Sequence, residues 1–140
     1  MTGSATIPAS LDKVLQRFAK YTDPKRKYEL LLWFANRLGA FPEAGKIEAN
    51  KVPGCASQVF ITAEIVDGAV VYQADSDSQL TKGLAAVLVE GLSGATPDEI
   101  VQLKPDFITM TGLNVSLTPS RVNGFYNILK VMQQKALGLM

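Results

Sequence analysis

The order of hydrophobic periods in this 140-residue chain predicts an α+β domain: an N-terminal helix hairpin, a small antiparallel sheet, then C-terminal helices. Three observations carry that reading. Apolar residues recur at helical spacing from Leu11 to Leu38. They alternate over residues 57–66 and again briefly after Asp67-Gly68. Helical spacing returns from Leu80 onward. Helices segregated to the ends of an antiparallel ribbon define the α+β class. The length is that of about one domain, so residues 1–140 are read as a single unit.

Residues 1–9 are small and polar, with Gly3 and Pro8, and are expected to be flexible. Ser10 is read as an N-cap, followed by the stripe Leu11, Val14, Leu15 and Phe18. Asp23-Pro24 opens a second helix, aspartate as cap and proline at the first position. Its buried face is expected to be Tyr28, Leu31, Leu32, Ala35 and Leu38, with Trp33 and Phe34 widening it and Gly39 as C-cap. Trp33 is assigned to the core or its edge, since such rings contribute most there.

Residues 40–56 have little periodicity and repeated breakers, the mark of a long functional loop. Val59, Ile61, Ala63 and Ile65 then share one strand face. Asp67-Gly68 is a two-residue hairpin turn, and residues 69–73 return antiparallel. Two strands alone are marginal, so helices or a third strand must cover them. A capping cluster at residues 75–78 precedes the face Leu80, Leu84, Val87 and Leu88, which Gly91 and Gly94 end. Thr96-Pro97-Asp98-Glu99 is a capping box that starts a short helix. Residues 106–111 read as another helical turn stopped by Gly112, and residues 113–117 as extended or irregular. Thr118-Pro119 caps a last helix whose apolar side is Phe125, Ile128, Leu129, Met132 and Ala136.

Composition excludes several function classes. Charged residues are 19% of the chain and the net charge is +1, against a general nucleic-acid binder with its basic face. No stretch reaches the length of a membrane span. The start lacks a secretory pattern, so the cytoplasm is the expected compartment. There is no histidine and one cysteine, which removes Ser-His and Cys-His pairs and a disulfide framework, and nearly excludes a self-contained zinc or iron–sulfur site. Asp75, Ser76 and Asp77 lack the continuing ligand pattern of a calcium loop and read as cap and turn. The glycines at 91 and 94 lack the ending of a phosphate loop.

The remaining chemistry centres on Cys55. Pro53 fixes its own φ and biases Val52 away from the helical region. Gly54 can take a conformation other residues avoid. A thiol on such a bend is expected to face outward. The competing reading makes Cys55 a small buried hydrophobe, the commonest state of a lone cysteine. An exposed thiolate needs no histidine when its electrophile is already activated, as a persulfide sulfur is. Lys51, Lys82 and Arg121 are candidate cations for it, against the plainer reading of solvated surface charges. Gly54 and the amides after it could help hold a developing thiolate.

Three motifs resemble one known family. Residues 50–60 read Asn-Lys-Val-Pro-Gly-Cys-Ala-Ser-Gln-Val-Phe. Asp75-Ser76-Asp77 is followed by Thr81-Lys82-Gly83-Leu84-Ala85-Ala86. Leu117-Thr118-Pro119-Ser120-Arg121 is followed by Asn123-Gly124. Together, in this order and spacing, they resemble the SufE family of cysteine desulfuration proteins from about Leu11 to Ala136. The resemblance implies a fold similar to the IscU scaffold. It implies a sulfur acceptor and activator whose partner is a SufS-type cysteine desulfurase carrying pyridoxal phosphate, with no cofactor bound by the chain itself. Cys55 would carry the persulfide, and sulfur would pass to a SufBCD-type scaffold for iron–sulfur cluster assembly. Lys51, Gly54, Ser57, Gln58, Asp77, Lys82 and Arg121 would surround the site or meet the partner. A partner surface is expected around the 41–55 loop, with Asp77 and Arg121 at its edge. A cation in the first turn of a helix gains nothing from the dipole, so a nearby carboxylate or a partner's acidic group is expected to hold Arg121. Phe60 stands where the family commonly has tryptophan. The chain ends before a BolA-type domain could follow, and one cysteine with no histidine speaks against a cluster scaffold. A homodimer stays open. So do two other functions: a thiol-redox enzyme using Cys55 with an external thiol such as glutathione, and an adaptor in which Cys55 is inert.

Overall fold

The computed structural model describes residues 7–55 and 57–140, so the expected flexibility of the first residues lies mostly outside what is described. The elements run α1 Ala9–Ala19, α2 Pro24–Arg37, 3-10 turns at Glu43–Gly45 and Glu48–Asn50, β1 Val59–Val66, β2 Ala69–Ser76, α3 Gln79–Leu92, α4 Pro97–Val101, α5 Phe107–Met110, α6 Leu113–Ser116 and α7 Pro119–Gly138. This is the expected α+β order of N-terminal helices, antiparallel ribbon and C-terminal helices.

α3 is the centre. Leu84, Ala85, Ala86, Val87, Leu88 and Leu92 are all buried, so the helix is apolar on almost every side and surrounded accordingly. α1, α2, β2 and α7 all pack against it. The first two helices follow each other as a hairpin would, but their backbones approach α3 more closely than each other. Among the contacts that join them directly is the stacked ring pair Phe18–Phe34, 5.8 Å between centroids.

Several local expectations need correction. Ser10 is no cap: α1 starts one residue earlier, behind Pro8, and the Ser10 hydroxyl donates to the Gly91 carbonyl at 2.7 Å. Gly39 is no C-cap, because the chain already leaves the helix at an extended Leu38. The buried stripe of α2 is Lys27, Leu30, Leu31, Phe34 and Ala35, which turns Leu32 outward. Trp33 is 40% exposed, with the Arg17 and Arg37 guanidiniums 4.2 and 4.6 Å from its ring. Gly91 lies inside α3 against Leu11 and does not end it. Residues 113–116 are helical. Gly112 at φ +72° redirects the chain, and the Thr111 hydroxyl accepts from the Leu113 amide at 3.0 Å, a local bond that starts the turn.

Lys27 is only 6% exposed and has two main-chain partners: Nζ donates to Phe18 O and Thr111 O, both at 2.7 Å. The ammonium thus closes the C-terminal ends of α1 and α5, where a cation is favoured. Burial pushes its pKa down.

β1 and β2 pair antiparallel from Val59↔Ser76 to Val66↔Ala69, so β1 begins later and β2 runs further than the alternation suggests. Asp67 and Gly68 both take positive φ, 51° and 81°, as a two-residue hairpin turn requires. Both outer edges are occupied in part. Val70 exchanges main-chain bonds with Gly94 and Ala95, both 2.8 Å, on the β2 side. On the β1 side, the Val52 amide donates to Val59 O at 2.8 Å and Lys51 bridges to Phe60. The buried Tyr72 hydroxyl donates to Met132 O at 2.6 Å, which ties the ribbon to α7.

Gly83 tests the close approach of α2 and α3. A Cβ there would press on the Leu31 carbonyl, which belongs to a helix backbone and cannot swing aside. Helix propensity alone would favour alanine by up to about 1 kcal/mol. Overpacking a helix contact costs about 1–3 kcal/mol. Gly83→Ala should therefore lower the urea midpoint; an unchanged or raised midpoint would show that the two helices separate freely.

Candidate functional site

The cysteine loop leaves the second 3-10 turn, pairs with β1 through Lys51 and Val52, and bends at Pro53-Gly54. Gly54 takes φ +78°, and a Cβ there would lie 2.7 Å from Asn127 Nδ2. Glycine is thus required for conformation, and a Cβ would in addition displace the Asn127 amide. The Asn127 amide donates to Gly54 O at 3.2 Å. Further upstream, Lys135 Nζ donates to Asn50 Oδ1 at 3.1 Å. Both anchors come from α7.

That bend turns Cys55 inward, not outward. The thiol is half-buried against the core, with Sγ 3.9 Å from Gly124 O of α7. Burial pushes its pKa up. It opens onto a cavity of about 130 Å³ lined by Ser57, Thr81, Leu84, Ser120, Arg121 and Gly124. One water's share of liquid is about 30 Å³, so the cavity has room for one more heavy atom beyond Sγ.

The expected site residues divide. Ser57 and Arg121 share the cavity with Cys55. Gly54 shapes the bend. Gln58 and Asp77 hold the loop's exit: the Gln58 amide donates to Asp77 Oδ1 at 3.0 Å, and the Asp77 amide returns to Gln58 O at 3.3 Å. Lys51 serves the bridge to Phe60 and does not line the cavity. Lys82 pairs with Asp75 at 3.4 Å, as does Lys46 at 3.2 Å. Burial alone would raise the Asp75 carboxyl, but Lys46, the Ser76 amide and Lys82 together hold it below its usual range.

Within the chain, Arg121 is held by hydroxyls and not by a nearby carboxylate, one of its two expected holders. No carboxylate pairs with it among the described residues. Its Nη1 donates to Thr81 Oγ1 at 2.9 Å and Ser78 Oγ at 3.0 Å. These two hydroxyls, with Ser120, Gly124 and Asn127, escape a reading of sequence. Ser78 and Thr81 look like ordinary residues of a capped helix start. Two signals are available: Thr81, Ser120 and Gly124 fall inside the motifs of the resemblance, and Arg121, Gly124 and Asn127 stand three residues apart along one face of α7.

One thiol facing a cavity with an uncompensated guanidinium at its wall defines a single-cysteine thiol protein on an α+β frame. Comparison with known proteins gives the family. A family profile described as SufE, Fe-S metabolism associated domain, matches residues 12–136. An uncharacterized SufE-like protein of Synechocystis is 61% identical over 96% of this chain and 84% of its own length. SufE-like protein 1 of Arabidopsis thaliana, chloroplastic/mitochondrial, is 48% identical over 95% of this chain but 36% of its own length. The solution structure of a hypothetical protein from Thermus thermophilus superimposes with a TM-score of 0.82 at 25% identity, covering 96% of this chain and 98% of that one. The chain belongs to the SufE family.

A raised thiol pKa means less thiolate at neutral pH in the folded state. Alkylation of Cys55 near pH 7 should be slower in native protein than in the same protein unfolded in urea, and should gain steeply as pH rises. The same shift makes a contribution to stability that is present below the unfolded-state pKa and lost as pH rises through the folded one. A native midpoint at or below the unfolded one would contradict burial of the thiol.

Proposed function

We propose that this chain accepts sulfane sulfur on Cys55 from a pyridoxal-phosphate cysteine desulfurase of the SufS type and carries it to a SufBCD-type iron–sulfur assembly scaffold. The observation that carries this reading is the placement of the chain's one thiol at a cavity with space beyond Sγ and Arg121 at its wall. An inert core cysteine would have neither the space nor the cation. Family membership, and relatives from Plasmodium named cysteine desulfuration protein SufE, support sulfur transfer in general.

The step is an exchange. The Cys55 thiolate attacks the outer sulfur of the desulfurase persulfide. The donor's sulfur–sulfur bond breaks as a new one forms on Cys55, and the electron pair leaves with the donor's own thiolate. No net oxidation occurs and no external oxidant is needed. Arg121, held by neutral hydroxyls, keeps its charge available to the anion produced. The half-buried thiol must come out to reach a donor, and that motion breaks the single hydrogen bond from Asn127 to Gly54 O.

Intact mass spectrometry tests it. After incubation with a cysteine desulfurase and cysteine, the chain should gain about 32 Da per sulfur taken by exchange. The gain should disappear with reductant and in Cys55→Ser, which should keep its far-ultraviolet circular dichroism. A gain that persists in Cys55→Ser would overturn the assignment, and absence of any gain in wild type would overturn the carrier function.

A further inference from the structure

A line of three side chains leads from Arg121 to the thiol cavity. Arg121 Nη1 donates to Thr81 Oγ1 at 2.9 Å. A threonine hydroxyl has one hydrogen. With the guanidinium on a lone pair, that hydrogen goes to Ser57 Oγ, 3.5 Å away. Ser57 then accepts, and its own hydroxyl hydrogen remains. Among the described residues no side-chain or main-chain acceptor takes it, and Ser57 lines the cavity beside Cys55. Thr81 is 5% exposed, and both its partners here are side chains of the protein. Ser78 adds rigidity: its hydroxyl accepts from Arg121 at 3.0 Å and from the Thr81 amide at 3.3 Å.

We propose that Ser57 donates its hydroxyl hydrogen to the anionic sulfur formed on Cys55, and that Thr81 is the positioning residue that aims it under the pull of Arg121. The proposal rests on the reading of this cavity as a sulfur site. When Cys55 ionises, its proton goes to water and only the S–H bond breaks. Ser57 and Thr81 keep their protons and act as donors. Hydrogen bonds in series polarise one another, so each donor in the chain strengthens the next. The 3.5 Å link is long for two hydroxyls; catalytic contacts of this kind tighten when charge develops.

Among the described residues, one charged side chain lines the cavity with Cys55, and the relay starts from it. From α7, Arg121 is the charged side chain that lines the cavity. From α3, Lys82 is paired with Asp75. From the end of β2, Asp77 faces the Gln58 amide. On the cysteine loop, Lys51 sits in the bridge to Phe60. None of these last three lines the cavity.

The test is the pH profile of Cys55 alkylation by iodoacetamide in the full chain, read by intact mass with no desulfurase present. Ser57→Ala should move the midpoint up and lower the rate near pH 7 by about tenfold, the worth of one hydrogen bond to an ionised group. Thr81→Val, similar in shape but without the hydroxyl, should shift the profile the same way. The double substitution should add little to either, because the two act as one unit. Thr81→Ser should restore the wild-type profile, which a merely structural role for the hydroxyl's neighbours would not predict. A Ser57→Ala profile that overlays the wild type would overturn the proposal. So would additive effects, or a Thr81→Val shift that Thr81→Ser leaves in place. Because no sulfur donor is involved, failure here is separate from failure of the carrier reading: a chain that shows the relay but gains no sulfur loses only its assigned function.

Discussion

The burial of α3 on nearly all sides is the constraint on which the rest of the molecule depends. A helix so placed cannot rotate or slide without opening contacts to α1, α2, β2 and α7 together. Gly83 lets the α2 backbone come close, and Gly91 does the same for Leu11 of α1. The first turns of this fixed helix, capped by Ser78, carry Thr81 and Leu84 to the cavity. Side chains on a rigid element are held more precisely than on a loop. The site therefore has one stationary wall, one wall from the crossing helix α7, and one movable part, the cysteine loop.

Electrostatics follow the same division. The carboxylate of Asp75 is taken by two lysines, one from the 3-10 turn region and one from α3, and this stitches the long loop to the ribbon. Arg121 is given hydroxyls in place of a carboxylate. The difference matters chemically. A carboxylate would neutralise the guanidinium and add negative charge beside a thiol that must itself ionise. Hydroxyls orient the cation and leave its charge in place.

Local chemistry was readable wherever it was local. Asp23, the Thr96–Glu99 box and Thr118 cap helices as their residue types suggest, since each cap needs only its own first turn. The misread parts are those decided across the fold. Ser10 gives its hydroxyl to Gly91, 81 residues away, and so does not cap. Leu32 loses its place in the core to Leu30 because α3 selects which side of α2 is covered. The inward turn of Cys55 depends on Gly124 and Asn127 of the last helix. The partnership of Arg121 with Thr81 and Ser78 spans 40 and 43 residues, and nothing in residue type or spacing announces it.

The pairing of Val52 with Val59, together with the clasp between Gln58 and Asp77, has a mechanical consequence. With both places pinned, residues 53–57 form a short leash, and Cys55 is three residues from its nearer upstream mooring. A fully extended chain covers about 3.3–3.6 Å per residue, so the Cys55 backbone stays within roughly 10 Å of Val52 and the sulfur within one short side chain of that. A delivery arm of that length cannot probe a deep tunnel. Whatever exchanges atoms with this thiol must bring its own reactive centre to the mouth of a shallow recess, and fit closely against the ground on either side of the leash.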